Sequence, residues 1–191
     1  MIVNMDETRV ADHPSASNSH ANHYVQGTAV MTRVGRFRFP VFELRQDGRV
    51  LVSMGRPGLM KIMFGRGQRV ELADGSAWRV QALGIAGAIC PVVLDADRRK
   101  VAISSPRDGK YGLNGKGYGC ILYATEKQRF SRANRWIMRE HETELALLTR
   151  YPSSVCASEP VHLGAVLLSF VLMRYGILGE SAQRFNFGWD G

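Results

Sequence analysis

The feature that most limits the fold of this chain is an apolar segment near its C-terminus. Between Glu159 and Arg174 lie 14 residues without a charged side chain, and they leave no polar stripe on a helical wheel. Ser158 as a cap, Pro160 in the first turn and glycines after the end predict a helix over about 159–176. A helix that is apolar on all sides is either enclosed by protein or surrounded by lipid.

The length of this segment favours enclosure. At 1.5 Å per residue it would extend about 21 Å, whereas the hydrocarbon core of a bilayer is roughly 30 Å thick. We therefore expect a core helix, with a membrane-spanning tail anchor as the alternative.

The chain before this helix consists of short predicted strands separated by tight turns. Asp47-Gly48 and Asp74-Gly75 each lie between alternating apolar segments, which is the strongest local signal for a β-hairpin. The predicted strands are Phe37–Arg45, Arg49–Met54, Leu59–Phe64, Arg69–Ala73, Ser76–Leu83, Pro91–Leu94, Lys100–Ser104, Tyr118–Thr125, Arg135–Arg139 and Glu144–Arg150. No helical pattern separates them. The sequence therefore predicts a mostly β domain, an antiparallel meander closed into a barrel around the apolar C-terminal helix.

The N-terminal region differs in composition from the rest. Residues 1–30 are rich in Asp, Ser and Asn and poor in large apolar side chains, which predicts a disordered arm before a single domain over 31–191. Met1–Met5 lacks the basic start of a signal peptide, so we expect a cytoplasmic protein. The widely spaced Cys90, Cys120 and Cys156 fit reduced, buried thiols rather than a disulfide framework.

The charge distribution supplies the candidate binding residues. The chain carries a formal net charge of +8, and Arg33 to Arg69 contains nine basic residues against two acidic ones. Such a basic face attracts phosphates. The candidate anion- and lipid-binding residues are Arg56, Lys61, Arg66 and Arg69 on turns, with Lys110 and Lys116 in a Gly-rich stretch. The alternatives are exposed arginines without a ligand and a mobile loop between strands.

No catalytic or metal-binding pattern stands out. His13, His20 and His23 lie in the polar arm without metal-ligand spacing, and His141 fits a charged hairpin tip. His162 fits a partly buried position in the first turn of the helix. Trp78 and Trp136 fit strand core positions rather than a nucleic-acid-binding surface. We therefore expect no enzyme activity, no cofactor, no metal and no nucleic-acid partner.

Three segments resemble the tubby C-terminal fold, which is shared by the LURP-one-related proteins and the phospholipid scramblases. They are the hairpins at 46–51 and 72–78 and the apolar helix Val166–Met173. The resemblance implies a twelve-stranded barrel around a C-terminal helix, and a non-enzymatic role in binding phosphoinositides or membrane phospholipid or as an adaptor. The cysteine-rich run of the scramblases has no counterpart here, so scrambling itself is not expected.

Three functional hypotheses follow. The first is a tubby-like domain, peripheral to the membrane, that binds anionic phospholipid or an acidic partner protein through its basic face. The alternative is a small tail-anchored membrane protein with a cytoplasmic β domain. The third is an enzyme whose site residues are too dispersed along the chain to recognise.

Overall fold

The computed structural model describes residues 23–35, 40–55, 62, 67–85, 88–107, 110–125 and 133–175. They form twelve strands followed by a C-terminal helix. The elements are β1 Tyr24–Val34, β2 Val41–Gln46, β3 Arg49–Gly55, β4 Gln68–Leu72, β5 Ala77–Ile85, β6 Ala88–Leu94, β7 Lys100–Arg107, β8 Lys110–Gly115, β9 Tyr118–Ala124, β10 Arg135–Glu140, β11 Thr143–Arg150, β12 Ser153–His162 and α1 Leu163–Tyr175.

The strands form one closed antiparallel barrel in chain order. Each strand pairs with the next, and β1 also pairs with β12, so that Ala29 lies opposite Val155. Closure pairs the strands that would otherwise be exposed sheet edges. The predicted fold class, a meander closed around one helix, is confirmed.

The two Asp-Gly hairpins also form as predicted. Asp47 and Gly48 have φ values of 51° and 78°, the left-handed conformations that a tight hairpin turn between twisted strands requires. In the β4–β5 turn Gly75 has a φ of 81°, and the Ser76 amide donates a 2.9 Å hydrogen bond to the Asp74 carboxylate. Local turn chemistry therefore fixes the register of both hairpins.

The helix α1 fills the barrel. The side chains from Leu163 to Met173 are all buried, and the helix contacts β1, β6, β7, β8, β11 and β12. Its buried hydroxyl, on Ser169, donates a 2.8 Å hydrogen bond to the Ala165 carbonyl, so no polar group of that side chain is left unsatisfied. The core-helix prediction is confirmed, and the lipid-surrounded alternative is wrong because the apolar faces of α1 pack on strands. Among the described residues, no helix is long and apolar enough to cross a bilayer.

Two predicted boundaries are wrong. Tyr24–Val30, assigned to the disordered arm, belongs to β1, where Val25 and Ala29 are fully buried against the interior. Glu159–His162, assigned to the helix, belongs to β12, so Ser158 is not the helix cap. Pro160 lies where the β1–β12 register shifts, an irregular position at which a residue without an amide hydrogen is tolerated. Residues 1–22 and most of the predicted strand Leu59–Phe64 lie outside the described residues.

The barrel has two ends of different construction. We call one end the top: it holds the β2–β3, β4–β5, β6–β7, β8–β9 and β10–β11 turns and the junction at which β12 passes directly into α1. We call the opposite end the bottom: β1 and β11 finish there, β2, β8 and β10 start there, and α1 terminates there.

Candidate functional site

A pocket of about 140 Å³ opens at the bottom of the barrel, between the end of α1 and the neighbouring strands. Its lining combines apolar side chains with arginines. The lining residues are Met31, Arg33, Phe42, Met54, Arg150, Tyr151, Ser153, Phe170, Val171, Met173 and Arg174. None of these residues is acidic, so the pocket pairs an apolar interior with positive charge.

The fold brings the three arginines together from distant parts of the chain. Arg33 is the second-last residue of β1, Arg150 is the last of β11, and Arg174 lies in the last turn of α1. The guanidinium of Arg174 lies 5.4 Å from the centre of the Phe42 ring, and that of Arg150 lies 5.4 Å from the centre of the Tyr151 ring. These cation–π contacts hold the charges beside aromatic surface. Arg174 also stabilises the negative end of the helix dipole.

Charge is distributed unevenly between the two ends. At the bottom, the described strand and helix termini carry mostly basic residues. The acidic residue nearest to a terminus there is Glu43, two residues into β2, and its carboxylate pairs with Arg45 at 2.6 Å. The basic residues there include Arg33, Lys110, Arg135, Arg150 and Arg174. The top carries both signs, with acidic residues at Asp47, Asp74, Asp95, Asp97, Glu140 and Glu142 and basic residues at Arg49, Arg98, Arg99, Lys100 and Lys116. The bottom is therefore the positive pole of the described structure.

Exposed apolar side chains accompany this charge. Tyr151, in the turn between β11 and β12, is 74% exposed, and Val34, at the end of β1, is 38% exposed. Each follows directly after one of the pocket arginines. The bottom therefore offers apolar and cationic groups side by side.

The predicted binding residues do not form a single site. Arg56, Lys61 and Arg66 lie outside the described residues. Lys110 begins β8 at the bottom, whereas Lys116 lies in the β8–β9 turn at the top. At about 3.3 Å per residue along a strand, the two lysines are separated by roughly 20 Å. They cannot hold one phosphate between them.

Arg69 lies in a second depression, on the outer wall of the barrel. This groove, of about 400 Å³, is lined by Arg69, Ala77, Trp78, Arg79, Gln81, Leu94, Asp95, Ala96 and Arg98. The Arg69 guanidinium pairs with the Glu71 carboxylate at 3.4 Å. Because both of these side chains are well exposed, the pair is screened by solvent and contributes little to stability.

The Gly-rich stretch Lys110–Gly119 is a regular β-hairpin rather than a mobile loop or a phosphate cradle. A Cβ added at Gly115 would overlap the ring of Tyr118 and the carbonyl oxygen of Val101. Gly117 has a φ of 81°, which the turn requires. These glycines therefore allow close packing and a tight turn, and anion binding by Lys110 and Lys116 stays a prediction.

The top of the barrel holds a cluster of aromatic and histidine rings around the start of α1. The His162 ring stacks on Tyr118, with centroids 4.6 Å apart, and on Trp78, with centroids 6.0 Å apart. Tyr24 meets it edge-on at 5.3 Å. His23 lies against Trp78 at 5.1 Å. His23 therefore belongs to the barrel and not to a disordered arm.

His162 caps the helix. It is the last residue of β12, not a first-turn residue as predicted, and its Nδ1 accepts a 3.1 Å hydrogen bond from the Gly164 amide. Such a bond satisfies one of the unpaired donors of a helix N-terminus. Burial lowers the pKa of His162 to about 4, and the nearby His23 contributes in the same direction. The imidazole is therefore neutral at physiological pH and acts as an acceptor.

The neighbouring carboxylate completes this structural cluster. Asp74 accepts hydrogen bonds from the amide and hydroxyl of Ser76, and these bonds lower its pKa; its other oxygen lies 3.3 Å from Nε2 of His23. In the part of the chain that the structure describes, no group of three or more His, Cys, Asp or Glu side chains is arranged to hold a metal ion. His141, with a φ of 51°, occupies the exposed β10–β11 turn, as predicted for a hairpin tip.

The cysteines follow the prediction in part. Cys90 and Cys120 are buried free thiols, and burial raises the pKa of Cys120 to about 12, which keeps it protonated and unreactive. Cys156 is a free thiol but exposed, contrary to prediction, because it faces outward on β12. Trp78 and Trp136 are buried in strands as predicted.

Comparison of the chain with protein-family models, with curated proteins and with solved structures finds no match. The fold therefore defines its class: a closed twelve-stranded antiparallel barrel with a helix in its interior. The candidate site in the described residues is the arginine-rimmed apolar pocket at the bottom.

Proposed function

We propose that this protein binds the surface of anionic phospholipid membranes through the bottom of its barrel and catalyses no reaction. The observation that carries the proposal is the coincidence, at one end, of positive charge with exposed apolar side chains. At the top Tyr24 is also exposed, at 45%, but basic and acidic side chains alternate around the turns there, so its charges largely offset one another.

The chemistry of a membrane surface matches both components. A basic side chain near an anionic leaflet contributes about 1 kcal/mol to binding. Tyrosine is favoured at the boundary between headgroups and acyl chains because its ring is apolar and its hydroxyl is polar. Tyr151 and Val34 project beside Arg150 and Arg33, so a bilayer would meet both kinds of group at once.

The resemblance to the tubby C-terminal fold supports the same class of ligand. In this proposal the protein is a tubby-like domain that works in the cytoplasm, peripheral to the membrane. An acidic partner protein, which would also be attracted by the bottom arginines, becomes an alternative outcome of the test.

Vesicle co-sedimentation tests the proposal. The wild type should bind vesicles that contain anionic lipid at low salt, should release them as salt rises, and should ignore purely zwitterionic vesicles. Reversing two charges at the bottom, Arg33→Glu with Arg150→Glu, should reduce binding at least tenfold. The matched control reverses two exposed charges at the top, Arg49→Glu with Lys116→Glu, and should bind almost as the wild type does.

Two outcomes would contradict the proposal. Failure of the wild type to bind anionic vesicles at low salt would exclude lipid binding and favour an acidic protein partner. Equal loss in the bottom and top double variants would show that only net charge matters.

A further inference from the structure

We propose that the bottom pocket binds one molecule of a single-chain anionic lipid, with its phosphate on the three arginines and its chain inside the pocket. This inference rests on the proposed function, because it assigns a specific ligand to the end that is proposed to meet the membrane. The inference goes further than the proposed function because the pocket would bind one lipid molecule, whereas the proposed function requires only contact with the bilayer surface.

The interior of the pocket suits an alkyl chain. Met31, Met54 and Met173 line it together with Phe42 and Phe170. Methionine side chains are flexible and adapt to a chain of variable conformation. Pockets for small molecules have this composition, mostly apolar with a few polar groups that fix orientation.

The size of the pocket limits the length of chain that it holds. Its volume of about 140 Å³ is close to that of an engineered protein cavity of about 150 Å³ that holds benzene. It therefore accommodates about six carbon atoms, which is enough for the first part of one chain. A second chain has no room beside it, so a single-chain lipid fits better than a two-chain phospholipid.

The charge at the pocket selects the headgroup. Arg33, Arg150 and Arg174 all line it and no lining residue is acidic, so three guanidinium groups surround its opening. A phosphate monoester carries about −1.5 to −2 charges at neutral pH, and guanidinium groups bind its oxygens in pairs. The C-terminal dipole of α1 opposes an anion at this position, which makes several arginines necessary. A monoalkyl phosphate, the chemistry of a lysophospholipid with a terminal phosphate, is the best match.

Calorimetric titration of the full chain with n-alkyl phosphates of two to twelve carbons tests the inference. Each added methylene should strengthen binding about fourfold, from about 0.8 kcal/mol per buried methylene, until about six carbons fill the pocket, and should add little beyond that. The n-alkyl carboxylates should bind several-fold more weakly, and n-alkyl trimethylammonium ions should not bind.

A pocket-filling variant locates the site. Met31→Trp should remove the dependence on chain length, whereas the volume-conserving Met31→Leu should retain it. Thermal unfolding establishes that each variant is folded, and Val171→Phe fills the same pocket from the helix if Met31→Trp does not fold.

The two proposals fail in different ways. If the wild type binds anionic vesicles but its affinity for alkyl phosphates is independent of chain length, the pocket inference is wrong and the proposed function stands. If chain length matters but vesicles are not bound, the membrane function is wrong and the pocket is confirmed. A competition experiment tests the lipid assignment. It would be overturned if an acidic peptide with one aromatic residue displaced bound alkyl phosphate at a lower concentration than any alkyl phosphate does.

Discussion

The top and the bottom of this barrel are built from the same strands but in different ways. At the top, α1 starts under a stack of rings, is capped by His162, and is surrounded by tight turns with charges of both signs. At the bottom, α1 ends beside an open pocket whose charged lining residues are all arginines. The comparison indicates that one end stabilises the enclosed helix, while the other places apolar surface and positive charge around an opening.

The topology accounts for this division. Because β12 runs directly into α1, the strand–helix junction must be closed and its first amides satisfied within the barrel. The last turn of α1, by contrast, lies beside the opening of the pocket. Residues at binding sites are commonly less favourable for folding stability than residues elsewhere. The rest of the fold then supplies the stability.

The largest expected effect compares two positions on α1. Leu167 is 0% exposed, so Leu167→Ala should cost about 2–5 kcal/mol of unfolding free energy through lost burial and an internal cavity. Phe170 is 9% exposed and lines the pocket. Its truncation merely enlarges an existing opening, and Phe170→Ala should cost less despite removing more atoms. Chemical denaturation measures both, and an equal or larger cost for Phe170→Ala would mean that the bottom is packed as tightly as the interior.

Acid should lower the unfolding free energy through the protonation of His162 at the top. The pKa of His162 is about 4 in the folded protein, below the value of about 6.5 in an unfolded chain. The unfolded state therefore binds the proton first as pH falls. Stability is complete above about pH 6.5 and declines by roughly 3 kcal/mol by pH 4, because one pKa unit corresponds to about 1.4 kcal/mol.

A variant isolates this histidine. His162→Asn keeps an acceptor near the Gly164 amide but cannot titrate, so its unfolding free energy should be nearly constant between about pH 6.5 and pH 4. Stability curves of the two proteins against pH check this. Parallel curves would show that His162 does not control the acid response. Asp74, whose pKa is lowered, should act only at still lower pH.

Glycine substitutions contrast the packing of the two ends. A Cβ at Gly115 would overlap Tyr118, which stacks on His162, and the Val101 carbonyl, so Gly115→Ala should cost about 1–3 kcal/mol. A Cβ at Gly55, at the bottom end of β3, would meet only the flexible end of Gln68 at 3.4 Å. Gly55→Ala should change the unfolding free energy by less than about 1 kcal/mol. Thermal unfolding of both variants measures the difference, and similar costs would remove the distinction between the ends.

The sequence predicted the parts of the fold that depend on local pattern. Asp47-Gly48 specifies its hairpin through backbone conformation alone, and the apolar run before Arg174 specifies an enclosed helix through composition alone. The boundary between β12 and α1 was not predictable in this way. Val161 is buried in the strand just as Leu163 is buried in the helix, so hydrophobicity does not change at the junction.

The pocket was beyond sequence reasoning for a different reason. Arg33 and Arg150 are separated by more than a hundred residues and meet because β1 closes the barrel against β12, next to β11. No local sequence motif predicts that β1 pairs with β12. The prediction instead gave weight to Lys110 and Lys116, which are close in sequence but lie at opposite ends of a strand. Proximity along the chain was misleading because a strand separates its two ends.

The smallest expected effect concerns single charges. At the top, Asp74→Ala removes hydrogen bonds from Ser76 and a contact with His23, and it should cost about 1 kcal/mol. At the bottom, Arg135 is exposed at the start of β10, in a chain whose formal net charge is +8. Arg135→Glu should change the unfolding free energy by less than about 0.5 kcal/mol, with a tendency to stabilise because it relieves repulsion between like charges.

Chemical denaturation at low and high salt measures the effects of both variants, and the gain from Arg135→Glu should vanish as salt screens the charges. A destabilisation of 1 kcal/mol or more would mean that the bottom charges support the fold, and the division between a stabilising top and a binding bottom would then be wrong.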